Sequence, residues 1–409
     1  MKFIHLADLH LGKSLHGISL LDSGDQPHWV EAFLALAGEQ QPDAVLMAGD
    51  VYDRAAPAAE AVALLDRLLT GLTGRGIPVL LAPGNHDSPR RLAFGRELLA
   101  RQGLHIAPPL EAPGQLSRVT LEDAYGPVDF WLMPYVFPAL AGEALGGEFR
   151  DYDSAVRALL EAQDVDFSRR NVLIAHQNVT KGGLEGDRGG SESMVGGVGQ
   201  VDCTAFDGFD YVALGHIHAG YAVGRPEVRY AGSPLCYHFN ETRQAPKGPL
   251  LVELGPKGVA PEITLLPLEP LHRLRALEGD YDPIREALSQ SPGQEYFSVT
   301  LTDRRISPEL SDDLHGLCAA RGSLLMELRS LYRPEGQGEV QAPGDSGEKR
   351  LPELFRDFYA ARTGAEPSEQ EQALLEAAAE LMNGADLSRE PEEGQIDRLL
   401  ALAKKEAAK

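Results

Sequence analysis

Through the first part of the chain, short aliphatic and β-branched runs alternate with stretches whose apolar positions recur every three or four residues. Residues 3–7 (FIHLA) and 44–48 (AVLMA) read as buried strands. Between them Val30, Phe33, Leu34 and Ala37 fall at helical spacing. Val62, Leu65, Leu68, Leu69 and Leu72 repeat that spacing before a third strand at 77–82. This βαβαβ rhythm calls for parallel strands joined by crossover helices. Further strands are predicted at 129–133, 172–175, 211–214, 228–231, 250–254 and 263–266. Several of these are hairpin-spaced, so the sheet layer becomes mixed. A composition change at residues 267–270 marks a boundary, and a smaller unit follows with strand 296–301, helix 308–320 and strand 324–329. Residues 334–347 (PEGQGEVQAPGDSG) hold almost no large apolar side chain and read as a flexible linker. Two amphipathic helices, 351–360 and 368–382, precede an acidic tail.

Composition narrows the class. A chain of 409 residues with 43% hydrophobic and 24% charged residues is globular and too long for one ordinary core. No apolar run approaches the roughly 20 residues of a spanning helix. Asp8 and His10 interrupt the N-terminal apolar stretch too early for a signal peptide. Cys203, Cys236 and Cys318 are an odd number without a CxxC pair, which fits reduced thiols in the cytoplasm. The net charge of -23 argues against an independent, tight nucleic-acid binder. Attraction to such a substrate would have to come from bound metal, a local basic patch or a partner.

Candidate chemistry sits in four segments, each just past a predicted strand, where open α/β sheets place their ligands. They are Asp8-Leu9-His10, Gly49-Asp50, Gly84-Asn85-His86-Asp87, and His176 with Gly215-His216-Ile217-His218. In D-x-H and H-x-H the two side chains project to the same side of an extended chain. Glycine before Asp50, Asn85 and His216 permits a sharp turn and close backbone approach. The donors are two carboxylates, one carboxamide and four imidazoles with no thiolate, a set suited to Mn, Fe, Co or Zn rather than Ca or a soft metal. Alone, GD or NHD is ordinary turn chemistry; turn chemistry does not demand four histidines in order. His5 reads as a core residue, and His16, His28, His105, His272 and His315 fall outside the motifs, while His238 is ambiguous. The glycine-rich stretch 181–199 lacks a GxxxxGK[ST] pattern and reads as a loop beside the site. No Walker motif occurs, so any ATP dependence belongs to a partner. Arg90 and Arg91 read equally as DNA-backbone contacts or a solvated helix start.

The order D-x-H, GD, GNHD, H, GHIH over residues 8–218 resembles the calcineurin-like metallophosphoesterases. A finer resemblance, carried by HLADLHLGKSLHG, AGDVYDRAAP, PGNHDSP, DYVALGHIH, YAGSPLCYHF and LFRDFYAARTG, is to the SbcD family, the bacterial branch of the double-strand-break-repair nucleases. Asp53 stands where the archaeal and eukaryotic branches have His, and no function is carried to it. The resemblance implies a four-layer α/β/β/α sandwich over 1–268 and a small α/β cap at 271–333 that shapes DNA access. A linker at 334–350 and a helix pair with acidic tail at 351–409 would follow. It implies one metal held by Asp8, His10, Asp50 and His218, and a second held by Asp50, Asn85, His176 and His216. It places His86 at the scissile phosphate, with Asp87 orienting it. The activity implied is Mn-dependent phosphodiester hydrolysis, 3′→5′ exonuclease on duplex DNA and endonuclease on single strands or hairpins. A homodimer is expected, with helices around 58–69 and 91–99 as candidate contacts. The stripes Leu351, Leu354, Phe355, Phe358 and Leu374, Leu375, Leu381 suggest docking on the coiled coil of an SbcC-type ATPase, or packing back on 271–333. Two other readings stay open: the same fold acting on small phosphodiesters or phosphoproteins, and a non-catalytic scaffold. The complete donor set speaks against the second.

Overall fold

Strands that are apolar on both faces organise the molecule into two six-stranded sheets. The computed structural model describes residues 1–183, 199–243 and 246–332, with Arg356, Pro367, Ser368 and Gln372 beyond them. The first sheet runs Glu262–Leu265, Leu250–Glu253, Lys2–Leu6, Ala44–Ala48, Val79–Ala82, Leu104–Ile106, its last four strands parallel. The second runs Ala222–Val223, Arg225–Tyr230, Tyr211–Gly215, Arg170–His176, Gly126–Met133, Ser117–Asp123, with four parallel central strands and antiparallel edges.

Alternation along two central strands explains the layering. Ala44, Leu46 and Ala48 enter the core between the sheets, where they meet Phe3, Leu80, Phe130, Val172, Ile174 and Tyr211. Val45 and Met47 face the other way, into a core shared with helices Asp25–Gln40 and Ala59–Thr73. Across the molecule Leu173 and Ala175 face helices Pro138–Leu145 and Tyr152–Glu161. Every residue of Ala44–Ala48 and Arg170–His176 is buried, which is why both read as unbroken runs rather than alternating ones. The result is the four-layer α/β/β/α arrangement.

The smaller unit is a parallel three-stranded sheet of Arg273–Gly279, Glu295–Leu301 and Leu324–Ser330, covered by helices Tyr281–Ser289 and Pro308–Ala319. Phe297, Val299, Leu301, Ile284, Leu288 and Leu314 give it a core of its own. Tyr296 instead enters the core between the first sheet and its helices. Met1–Tyr332 accordingly forms one compact unit. The expected linker, the two C-terminal helices and residues 184–198 of the glycine-rich segment lie outside the described residues. Among the described residues no helix is long and apolar enough to cross a membrane.

Candidate metal centre

The parallel strands of both sheets deliver their C-terminal ends to one place. Asp8 and His10 follow Lys2–Leu6, Asp50 follows Ala44–Ala48, and Asn85 follows Val79–Ala82. From the second sheet, His176 ends Arg170–His176, and His216 and His218 follow Tyr211–Gly215. Four of these residues hold a left-handed backbone: Asp8 at φ 55°, His10 at 43°, Asp50 at 49° and His216 at 104°. Such conformations cost on the order of 1–3 kcal/mol each for non-glycine residues, and persist where the surrounding structure imposes them. Glycine makes the crowding possible. A Cβ on Gly84 would overlap the Asp50 carboxylate, and one on Gly215 would overlap the Ala48 carbonyl and the His176 ring.

All seven predicted donors converge. Ligand atoms of Asp8, His10 and His218 lie within 4.8 Å of one another, as do those of Asp8, Asp50 and His176. Asn85 Oδ1 stands 3.2 Å from His176 Nε2 and 3.1 Å from His216 Nδ1, while His176 Nε2 is 3.2 Å from Asp50 Oδ2. Asp50 lies between the two sets of histidines, its Oδ2 also 3.7 Å from His10 Nε2. His10, Asp50 and His86 form a third grouping of the same tightness, with His86 Nε2 4.0 Å from Asp50 Oδ2.

The ring orientations test whether a cation fits. His10 Nε2 and His218 Nε2 face each other at 3.2 Å. Their other nitrogens face carboxylates: His10 Nδ1 is 3.5 Å from Asp53 Oδ1, and His218 Nδ1 is 3.3 Å from Glu241 Oε1. Carboxylates on the Nδ1 side favour the tautomer that turns both Nε2 lone pairs toward one point, an arrangement suited to a shared cation. His176 is fixed in the same sense, its Nδ1 2.8 Å from the Ala48 carbonyl oxygen. The donor set fits a divalent metal.

Electrostatics agree. Burial raises the Asp8 carboxyl, and neighbouring Asp50 adds to that shift, against the pull of the histidines. Burial would also raise Asp50, but the His176 charge and hydrogen bond outweigh it and hold the group well below the usual range. Burial alone would lower His176, yet Asp50 pushes it up to about 9. The pocket draws positive charge.

Asp87 accepts from the backbone amides of Val51, Tyr52 and Gly84 at 3.1, 3.0 and 2.9 Å. It ties the GNHD turn to the Asp50 turn. The group facing His86 Nδ1, at 2.9 Å, is the carbonyl oxygen of Asp53. Glu241, Asp53, Lys247, Tyr237 and Gln26 are supporting residues that the motif reading did not assign. Lys247 Nζ donates to Glu241 Oε2 at 2.6 Å and to the His218 carbonyl at 2.7 Å. Burial would raise Glu241, but the His218 hydrogen bond and the Lys247 charge prevail and hold it at about 2. Tyr237 packs edge-on against His10 and His218 and donates to the Leu9 carbonyl at 2.5 Å. His5 is a core residue, its ring nitrogens 3.0 Å from the Tyr211 hydroxyl and 3.2 Å from the Leu214 carbonyl oxygen.

The calcineurin-like phosphoesterase family matches residues 1–220, and the chain belongs to it. Residues 268–363 match the Type 5 capsule protein repressor C-terminal domain. The chain is 34% identical to the D subunit of the SbcCD nuclease of Staphylococcus epidermidis, over 74% of this chain and 79% of that protein. It is 33% identical to the same protein of Staphylococcus saprophyticus, over 74% and 78%. Within the phosphoesterases, then, its family is that of the SbcCD D subunits. Among solved structures it is similar to TT1561 of Thermus thermophilus, at 15% identity and a TM-score of 0.28, covering 45% of this chain and 71% of that one.

Proposed function

We propose that this chain is the nuclease subunit of a DNA double-strand-break-repair complex, hydrolysing phosphodiester bonds beside a separate SbcC-type ATPase. The observation that carries the reading is the convergence of seven nitrogen and oxygen donors at the strand ends of both sheets, four of them on strained backbone. Asp8, His10, Asp50 and His218 would hold one ion, and Asp50, Asn85, His176 and His216 the other. Mn²⁺ suits this nitrogen–oxygen set. Such a pair of ions polarises phosphoryl oxygens and lowers the pKa of water.

The chain's own contribution is positioning and a proton. With the Asp53 carbonyl oxygen 2.9 Å from its Nδ1, His86 keeps a proton on that nitrogen. A proton for the departing 3′-oxygen then comes from Nε2, which carries one only in the imidazolium. The neutral ring instead presents a lone pair there. His86 is the catalytic residue of this reading, and Asp87 a brace for the turn that carries it.

On DNA the expected actions are 3′→5′ exonuclease on duplex ends and endonuclease on single strands or hairpins, in the cytoplasm. A homodimer fits the apolar surface around residues 58–69 and 91–99, where Val62 is 45% exposed, Leu98 68% and Phe94 85%. The net charge of -23 supports weak DNA binding by the free subunit, with the ATPase supplying most backbone contacts. The test is end-labelled duplex DNA with Mn²⁺, comparing wild type with His86→Ser. Metal-dependent degradation that falls by about 10²–10⁴ in the variant, with metal still bound, is expected. Equal degradation by both proteins would remove His86 from the chemistry, and none by either, even with the ATPase present, would remove the nuclease.

A further inference from the structure

Asp25 and Gln26 open the helix Asp25–Gln40 side by side and grip two different parts of the protein. Gln26, buried, donates from Nε2 to the His10 carbonyl at 2.8 Å and accepts from the Gly12 amide at 2.9 Å. It therefore spans the turn that carries His10. The backbone between them is closed as well: Gln26 N donates to the Leu20 carbonyl at 2.9 Å, and Leu20 N to that of Lys13 at 3.0 Å.

Asp25, also buried, turns toward the smaller unit. Its Oδ2 accepts from the Tyr296 hydroxyl at 2.8 Å and the Ser23 hydroxyl at 2.6 Å. Its Oδ1 accepts from the His272 amide at 3.2 Å and lies 3.1 Å from the His272 ring Nδ1. The His272 ring stacks on Tyr296, with 4.6 Å between centroids and 21° between planes. A cavity of about 400 Å³ flanks the cluster, lined by Leu20, Leu235, Pro270 and Leu274 among others. Apolar packing through Tyr296, Leu274 and Met326 continues around it, so the polar cluster is one specific contact within that joint.

Adjacent residues in the first turn of a helix cannot move independently. We propose that Asp25 and Gln26 form a rigid coupling through which the smaller unit's position sets that of His10 at the metal centre. Asp25, His272 and Tyr296 are thus positioning residues, acting on the chemistry through Gln26 and the 8–13 turn. The kinetic part of this proposal rests on the nuclease reading; the structural part does not.

The experiment uses the full chain as wild type, Tyr296→Phe and the double variant His272→Ala/Tyr296→Phe, read in two ways. Hydrogen exchange without substrate is expected to quicken by about threefold to tenfold at the amides of residues 8–13, the Gly12 amide above all. Turnover of bis(p-nitrophenyl) phosphate with Mn²⁺, a diester too small to span to the smaller unit, is expected to lose kcat with KM unchanged. Should the double variant unfold, Tyr296→Phe alone carries both readings, because it removes one hydroxyl and keeps the ring. Faster exchange confined to residues 271–332, with kcat intact, would overturn the coupling and leave the cluster a simple attachment. If even the wild type fails to hydrolyse the diester, the nuclease reading is in question, while the exchange result still decides the coupling.

Discussion

At His218 the imidazole is held on both sides, by Glu241 on Nδ1 and by the approach of His10 on Nε2. Glu241→Gln preserves the shape and removes the charge that favours the useful tautomer. Mn²⁺ affinity is expected to fall about 10–100-fold by titration, with the circular dichroism spectrum unchanged; undiminished affinity would leave Glu241 a bystander. A second residue-scale expectation lies far from the metal. Arg170, buried, donates to Asp123 at 3.0 and 2.5 Å, and also to the carbonyls of Gly255 and Gly126. The Arg170 hydrogen bonds hold the Asp123 carboxyl well below its usual range. Its folded value lies below its unfolded one, so its stabilisation is fully present above about pH 4 and is lost as pH falls below that. Asp123→Ala, which strands a buried guanidinium, is expected to cost about 3–5 kcal/mol at pH 7 in urea unfolding. That difference should shrink in acid; a pH-independent difference would contradict the assignment. The candidate donors stood out because Asp8/His10 and His216/His218 sit two apart just past strands, and Asp50, Asn85 and His216 each follow a glycine. Glu241, Lys247 and Gln26 did not, because their contacts to the His218 and His10 turns span 14 to 29 residues of chain and no spacing marks them.

Among elements, the burden falls on strands covered on both faces. Leu46 sits in the sheet-to-sheet core and is fully buried, so Leu46→Ala is expected to cost about 2–5 kcal/mol by urea denaturation. Val259→Ala, at a residue 54% exposed, should stay within about 0.5 kcal/mol. Similar losses at the two sites would contradict the layer assignment. The doubly covered strands were readable because burial on both faces leaves continuous apolar runs. The edge strand Ser117–Asp123 (SRVTLED) was not, since its positions alternate between half-buried and exposed and most of its side chains are polar. Arg273–Gly279 (RLRALEG) escaped for a similar reason, with charged residues at positions 1, 3 and 6 of the strand. The helix Tyr152–Glu161 buries only Ala155, Val156 and Leu159, too short a stripe to stand out.

For the whole molecule, the question is how a chain of net charge -23 attracts a polyanion. Two divalent ions, were Asp8 and Asp50 their carboxylate ligands, would leave the centre at about +2, a field that would serve one phosphate rather than a long duplex. A division of labour, in which the proposed ATPase partner would supply most of the attraction to a long duplex, accords with that limit. The two-sheet architecture was foreseeable from strand and helix rhythm together with the motif order. The way the smaller unit joins the nuclease core was not, because Asp25 meets His272 and Tyr296 across 247 and 271 residues of chain. The proposed function requires a centre in which Asp50 would be shared by both ions. Calorimetric titration of metal-free protein with Mn²⁺ tests this most directly, wild type against Asp50→Asn. Two ions per chain are expected in the wild type, with loss of tight binding at both positions in the variant. Two ions bound equally well by Asp50→Asn, or none by the wild type, would contradict it.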